Sequence, residues 1–378
     1  MPDIKKIRVL IANCRLDYRT GTETYTYDIA IELSKLGHIP LVYSPKLGEI
    51  AFELRNKGIT VVDDLNMINE TPDIIQGHHY IETFLAAMRF PRTPVFFVCH
   101  DRSTWHSEPF IDPRILRYVA VDYYCLDRLL ENSIPKEKTL VLFNTVDLKK
   151  FKARVEPLPP RPRKALIFSN QAKEDNYIQP VTTACRQLGI SVDVVGSGVK
   201  AVSSTPQDIL GKYDVVFARA RCAFESMACG AAVILCDITG CGPLVTMQNI
   251  ESLRMLNFGV KTLVNPITPA FIKEQLLAYD PVEAGRVTEW IRGNVSVEEL
   301  AKKYVALYKE LIEEHRNIIL SRPQPCQERQ KCLFKRICRN LEKYLFRAKC
   351  YISSDRIADQ YGAVMIKIVK KIDRKLWN

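Results

Sequence analysis

EPLPPRPRK, residues 156–164, places four prolines between Pro157 and Pro162. Proline fixes φ and lacks a backbone N–H, so such a run fits neither a helix interior nor a central strand and reads as a stiff, extended linker. On its N-terminal side short apolar runs alternate with amphipathic stretches. They are IRVLIAN (7–13), a helix with Tyr25, Ile29, Leu33 and Leu36 on one face, IPLVYS (39–44), a helix over 48–57, ITVVDD (59–64), PDIIQGHH (72–79), a helix around 80–89, PVFFVCHD (94–101), YVAVD (118–122), a helix over 124–132 and TLVLFN (139–144). Beyond the linker the alternation resumes with KALIFSN (164–170), a helix over 177–188, SVDVVGSG (191–198), YDVVFARA (213–220), a short helix, AAVILCD (231–237), a helix around 247–256 and KTLVNP (261–266). Helices are expected at 268–278, 282–293 and 297–314. Strands that are apolar on both faces and alternate with helices predict parallel sheets covered on both sides. The expected organisation is an α/β domain over 1–155, the linker 156–164, a second α/β domain over 165–317 and a basic helical tail over 318–378.

Length agrees with two domains, because 378 residues exceed what one hydrophobic core usually supports. No apolar run approaches the roughly 18 residues that would span a bilayer, and residues 1–12 lack the pattern of a signal peptide. A cytoplasmic location is therefore expected. The twelve cysteines are spread along the chain, and Cys99, Cys185, Cys229 and Cys236 fall in apolar or helical segments as reduced core thiols would. Cys326, Cys332, Cys338 and Cys350 lack the short gaps of a zinc site. Charge is placed unevenly: residues 318–378 hold fifteen Lys and Arg against five Asp and Glu, so they carry ten of the net +11. That distribution points to an appended surface that meets something anionic and away from a nucleic-acid-binding core. Within the tail, Val364, Met365, Ile368, Val369, Ile372 and Leu376 form one stripe with lysines and arginines mostly opposite, which fits either a helix packed on the body or one lying on an anionic membrane.

In open parallel sheets ligands bind beyond the carboxyl ends of the strands. The first half ends its strands in Asn13, in His78 and His79, in His100 and Asp101, and in Asn144; the second ends them in Ser169 and Asn170, Gly196 and Gly198, Arg219 and Arg221, and Asp237. Two such rims facing across a cleft would enclose a substrate. A dinucleotide site is disfavoured, since VVGSGVKA (194–201) lacks the third glycine of the fingerprint, and neither a phosphate loop nor a serine nucleophile elbow is present.

GTETYTYDIAIELSKLGHIP (21–40) resembles the glycine-loop-and-helix opening of retaining glycosyltransferases of the two-Rossmann-domain (GT-B) type, the family 4-like group. PDIIQGHH and PVFFVCHD resemble that family's histidine-bearing strand ends. VAVDYYCLDRLLENSIPKEKTLVLFNTVDLKKF (119–151) is similar to its segment ending in Asn-x-Val-Asp-x-x-x-Phe, and FESMACGAAVILCD (224–237) to its Glu-Ala-Met-Ala-x-Gly block. The resemblance covers about residues 5–315. It implies two Rossmann-like domains and transfer of a hexosyl-type sugar from a UDP- or GDP-linked donor to a glycan, lipid-linked or polysaccharide acceptor. Attack on the face from which the diphosphate departs would leave no enzymic nucleophile to find.

By the same resemblance Glu225 accepts hydrogen bonds from the donor's ribose and His100 contacts the transferred sugar, and these two are the expected catalytic residues. Gly21, Thr22, Lys173, Gly196, Gly198, Arg219 and Arg221 would complete the donor site, with helix N-termini and cations meeting the diphosphate. His78, His79 and Asp101 are the acceptor candidates, although one of two consecutive strand residues must point away from the other's side. Asn144 and Asp147 are expected to hold a turn. No metal is expected, since no Asp-x-Asp signature is visible. The chain departs from the family where it commonly has a second Glu, here Phe217, and where it commonly has Arg and Lys after the second domain's first strand, here Asn170 and, roughly, Lys173. Arg219 and Arg221 are the cations available to compensate. The alternatives are a catalytically silent binder of nucleotide sugars or glycans and, third, a nucleotide-sugar epimerase. An acceptor at the inner membrane face would suit the basic tail.

Overall fold

The protein was analysed as a computed structural model, which describes residues 6–112 and 114–320. The basic tail beyond residue 320, with its four cysteines and the stripe from Val364, lies outside the described residues. The chain divides into two compact units. Among the described residues, one comprises 6–121, 125–141 and 301–320; the other comprises 122–124 and 142–300. The proline-rich segment belongs to the second unit, where the Pro159 carbonyl accepts a 2.9 Å hydrogen bond from the Tyr279 hydroxyl.

The first unit carries a seven-stranded sheet. Its strands are β1 (Arg8–Ala12), β2 (Ile39–Tyr43), β3 (Thr60–Val62), β4 (Ile74–Gly77), β5 (Val95–Cys99), β6 (Ile115–Ala120) and β7 (Thr139–Val141), in the spatial order 3-2-1-4-5-6-7. Every pairing is parallel. All five residues of β5 are wholly buried, as a central strand covered by helices on both faces requires. Between the strands run α1 (Gly21–Lys35), α2 (Glu49–Asn56), α3 (Tyr80–Arg89) and, after β6, α4 (Tyr123–Glu131). α1 buries Tyr25, Ile29 and Leu33, and Gly37 at φ +83° ends it, with the His38 N–H returning to the Leu33 carbonyl in a Schellman motif. Thr20 precedes α1 with Glu23 three residues on, the spacing of a capping box, but the Thr20 hydroxyl bonds the Glu23 carboxylate and makes no bond to the helix backbone.

The second unit has a five-stranded sheet of β8 (Lys164–Phe168), β9 (Ser191–Val195), β10 (Val215–Ala218), β11 (Ala232–Asp237) and β12 (Gly240–Leu244), in the order 12-11-10-8-9. Its helices are α5 (Ile178–Gln187), α6 (Ala220–Ala228), α7 (Ile250–Met255), α8 (Pro269–Leu277), α9 (Pro281–Asn294) and the start of α10 (Val297–Leu320). From Ala301 on, α10 packs with the first unit. β12 corrects the sequence reading twice over. It is antiparallel, because only Ile238 and Thr239 separate it from β11, and it takes the place expected for a strand at 261–266. Its glycines exist for contact: a Cβ on Gly240 would lie 2.7 Å from the Leu263 carbonyl oxygen, and one on Gly242 2.6 Å from that of Thr262. The segment expected as a strand instead turns at Val260–Thr262 and bridges Cys241 only through Asn265.

Candidate active site

In both sheets the strand order reverses about a central pair, β1/β4 in the first and β8/β10 in the second. Crevices open at such switch points; Asn13 and His78–His79 follow the pair in the first sheet, Ser169–Asn170 and Arg219 the pair in the second, and His100 and Asp237 end the strands next to them.

At the first switch point, Asn13 follows β1, wholly buried, and donates from Nδ2 to Thr26 Oγ1 (2.8 Å) and to the Thr22 carbonyl (3.1 Å). These bonds fix the start of α1, where Gly21 stands exposed and Thr22 partly buried. A Cβ on Gly21 would meet nothing within 4 Å. His78 and His79 follow β4 and are both buried, yet they serve opposite sides. His79 Nδ1 accepts the Cys14 N–H at 3.2 Å, with the ring of His106 5.2 Å away. His78 faces His100, which follows β5: His78 Nδ1 and His100 Nε2 are 2.8 Å apart and the ring planes differ by 17°. Tyr25 sets its ring edge-on to His100 at 4.8 Å. On the other side of His78, Nε2 meets Gln76 Nε2 at 3.0 Å, and the Tyr308 hydroxyl donates to Gln76 Oε1.

Burial governs protonation in this cluster. It pushes His100 down to about 3, against a smaller opposing pull from Asp101. It also holds His78 and His79 well below the ordinary histidine range, so all three imidazoles are neutral at physiological pH. Burial pushes the Glu82 carboxyl in the first turn of α3 up to about 7. Asp101 is engaged locally. Its Oδ1 accepts from the backbone N–H groups of Ser103 (2.6 Å) and Thr104 (2.7 Å) and from the Ser103 hydroxyl (3.0 Å), and Arg128 donates to its carbonyl at 2.6 Å. Its carboxylate shapes the loop that follows His100.

At the second switch point the chain passes from β10 into α6 through Arg219 and Ala220, the latter at φ +48°, a strained conformation for a residue with a Cβ. α6 ends at Gly230, φ +92°, in a second Schellman motif, with the Ala231 N–H bonded to the Ser226 carbonyl. Glu225 is 7% exposed, and its Oε1 stands 2.9 Å from Arg221 Nε, one turn earlier on the helix. Arg219 Nε bonds the carboxylate of Asp237, which also accepts the Ile238 N–H at 2.7 Å and the Ser169 hydroxyl at 3.3 Å. The structure thus gathers Arg219 with Asp237 and Arg221 with Glu225, each cation beside a carboxylate. Lys173 lies exposed on the loop after β8.

Gly196 and Gly198 serve backbone packing. A Cβ at Gly196 would fall 1.9 Å from the Ser169 carbonyl oxygen, and one at Gly198 2.2 Å from that of Ala172. Phe217 is wholly buried in the core of the second unit, among Ile167, Val215 and Ile234. Arg254 donates to the Asn144 carbonyl and to Asn257 Oδ1, each at 2.6 Å, between the rings of Phe143 and Phe224; burial pushes it down to about 9. Asp147 Oδ1 accepts the N–H groups of Lys149 (2.9 Å) and Lys150 (3.0 Å) and so holds a turn, while Asn144 takes part through its main-chain carbonyl. The sequence reading did not single out Gln76 or Tyr308, nor did it pair Arg219 with Asp237 or Arg221 with Glu225. A glutamine inside an apolar strand was the one visible signal.

Two Rossmann-like units in this order, with these strand orders, define the GT-B architecture of glycosyltransferases. The family described as Glycosyltransferase Family 4 matches residues 19–150, the stretch that holds the start of α1 and all three rim histidines. Among solved structures, a glycosyltransferase from Rickettsia africae ESF-5 aligns with a TM-score of 0.58 at 15% identity, covering 82% of this chain and 99% of that one. Anabaena Alr3699/HepE in complex with UDP and glucose aligns with a TM-score of 0.55 at 13% identity, covering 81% and 100%. At these identities the likeness establishes the fold. No curated protein sequence matches the chain.

Proposed function

We propose that the protein is a glycosyltransferase that moves a sugar, with retention of configuration, from a UDP- or GDP-linked donor to a glycan or lipid-linked acceptor. The observation that carries this reading is the Glycosyltransferase Family 4 match over residues 19–150, within which His100 follows β5, next to the β1/β4 switch point, and meets His78 at the end of β4. The Anabaena neighbour, solved with UDP and glucose, supports a nucleotide sugar as donor.

In this reading Glu225 receives the ribose hydroxyls. The second unit's cations Arg219, Arg221 and Lys173 receive the diphosphate, so that no metal ion is required; in the first unit Gly21 and Thr22, at the N-terminus of α1, are donor contacts. His100 donates to a hydroxyl of the transferred sugar. His79 and the Asp101 loop border the acceptor, while His78 acts from behind His100. A basic tail of net charge +10 over 318–378 suits an acceptor at an anionic membrane and a peripheral place on the inner membrane face. Among the described residues no helix is long and apolar enough to cross a membrane.

A second reading, a silent binder of nucleotide sugars or glycans, draws support from Phe217 and from the carboxylates already paired with Arg219 and Arg221. The two readings part in one experiment: incubation with a panel of UDP- and GDP-sugars, with and without lipid-linked and glycan acceptors, assayed for nucleoside diphosphate release. Acceptor-dependent release supports the transferase. Saturable binding of a donor without turnover for any acceptor supports the silent binder.

A further inference from the structure

We propose that Tyr308, Gln76 and His78 form a directional hydrogen-bond relay that fixes His100 as a neutral imidazole with its proton on Nδ1, making it a hydrogen-bond donor without a free basic nitrogen.

The direction follows from what each group can donate. The Tyr308 hydroxyl donates to Gln76 Oε1, which leaves the amide nitrogen of Gln76 facing His78 Nε2 at 3.0 Å. An amide nitrogen offers only hydrogens, so His78 Nε2 accepts. A neutral imidazole that accepts at Nε2 carries its proton on Nδ1, and His78 Nδ1 lies 2.8 Å from His100 Nε2. His100 Nε2 therefore accepts in turn, and its proton must sit on Nδ1. An imidazolium at His78 would turn an N–H against the amide hydrogens of Gln76, so the cationic form does not fit between its two neighbours.

The reverse direction requires Gln76 to turn its amide over. Its nitrogen would then face Tyr308, whose hydroxyl proton would lose its acceptor. Tyr308, Gln76 and His78 are all wholly buried, out of reach of bulk water. A buried donor left without a partner disfavours that arrangement by about fivefold to a hundredfold in population. The rings lining the relay reinforce it: Tyr304 stacks on Tyr308 at 5.9 Å, Phe96 lies 5.6 Å from Tyr308, and Tyr25 closes edge-on over both histidines at 4.8 and 5.6 Å. Burial keeps His78 and His100 unprotonated, as the relay requires.

Tyr308, Gln76 and His78 are thus positioning residues. That His100 donates to a substrate hydroxyl rests on the glycosyltransferase reading; the relay itself does not. The test is long-range proton–nitrogen correlation NMR at neutral pH on the full chain labelled with nitrogen-15 at histidine, with His100 assigned by the signals lost in His100→Gln. Nδ1-protonated neutral patterns for both His78 and His100 are expected. An Nε2-protonated, tautomer-averaged or imidazolium pattern for His100 in the unmodified protein overturns the proposal. In Gln76→Leu the signals of His100 are expected to become tautomer averages, and the persistence of one Nδ1-protonated form in that variant also overturns it. Tyr308→Phe, which deletes one hydroxyl, is expected to give a smaller shift in the same direction, and an unchanged pattern removes Tyr308 from the relay. Because the measurement needs no substrate, failure to find a sugar donor leaves it decisive, and a wrong tautomer leaves the transferase reading open to its own assay.

Discussion

Arg221 Nε stands 2.9 Å from Glu225 Oε1 across one turn of α6, so the acid expected to bind a donor's ribose is held by a cation on its own helix. Such a pair orients the carboxylate for a hydroxyl donor. Loss of Glu225 should therefore cost more than loss of Arg221. Glu225→Ala is expected to weaken binding of the preferred nucleoside diphosphate about thirtyfold and Arg221→Ala about tenfold, near 2 and 1.4 kcal/mol. The double variant should be weaker by less than the sum, and calorimetric titration with UDP and GDP measures all three.

The glycines divide by what surrounds them. Gly21 has open space where a Cβ would go, whereas Gly196 has a carbonyl oxygen 1.9 Å away. Gly21→Ala should melt at the same temperature as the unmodified protein, or slightly higher, yet lose donor affinity, because only ligand contact needs the missing side chain. Gly196→Ala should destabilise by about 2 kcal/mol or more, since a backbone must shift. Thermal melts set beside nucleotide titrations separate the two effects.

Phe217 stands where the resembling family commonly has a second Glu. It is wholly buried in the core, so restoring the family's residue should not restore a site. Phe217→Glu is expected to cost at least about 3 kcal/mol by placing a carboxyl in an apolar core while removing an aromatic ring. Urea unfolding followed by circular dichroism measures it.

The buried histidines make stability depend on pH. His78, His79 and His100 have folded-state values below the unfolded value of 6.5, and His38 is lowered as well, by burial and then by Lys309. The unfolded chain thus binds more protons below about pH 6.5, and the stability these groups contribute is full above that pH and lost as pH falls toward 3. Glu82, raised from 4.5 to about 7, acts oppositely: its contribution is full below 4.5 and lost as pH rises through 7. Glu23, also raised by burial, acts with Glu82, but four histidines outweigh two carboxyls, so the melting temperature should fall from pH 7 to pH 5. It should fall more steeply in Glu82→Gln, where the larger opposing group is gone. A Glu82→Gln slope equal to or shallower than that of the unmodified protein would count against the assigned shifts.

Much of this was legible in the chain because parallel strands advertise themselves: β5, buried on both faces, had to be a continuous apolar run. β12 was not legible, since Gly240, Gly242 and Pro243 make poor strand residues and stand there only because the 262–265 segment approaches so closely. Among the site residues, His100 could be read from its place after an apolar strand. Its supports could not, because the bond from Tyr308 to Gln76 spans 232 residues and only the folded chain brings them together. The arginines were visible as cations, but Asp237, which neutralises Arg219, lies 18 residues on at the end of a neighbouring strand.

Acceptor-dependent release of nucleoside diphosphate, measured for the unmodified protein and for His100→Ala across UDP- and GDP-sugars, tests the central claim most directly. The account predicts release from at least one donor, reduced in His100→Ala by about tenfold to a hundredfold, the worth of one hydrogen bond formed in the transition state. Release that is no slower in His100→Ala, or donor binding with no release for any acceptor, would contradict it.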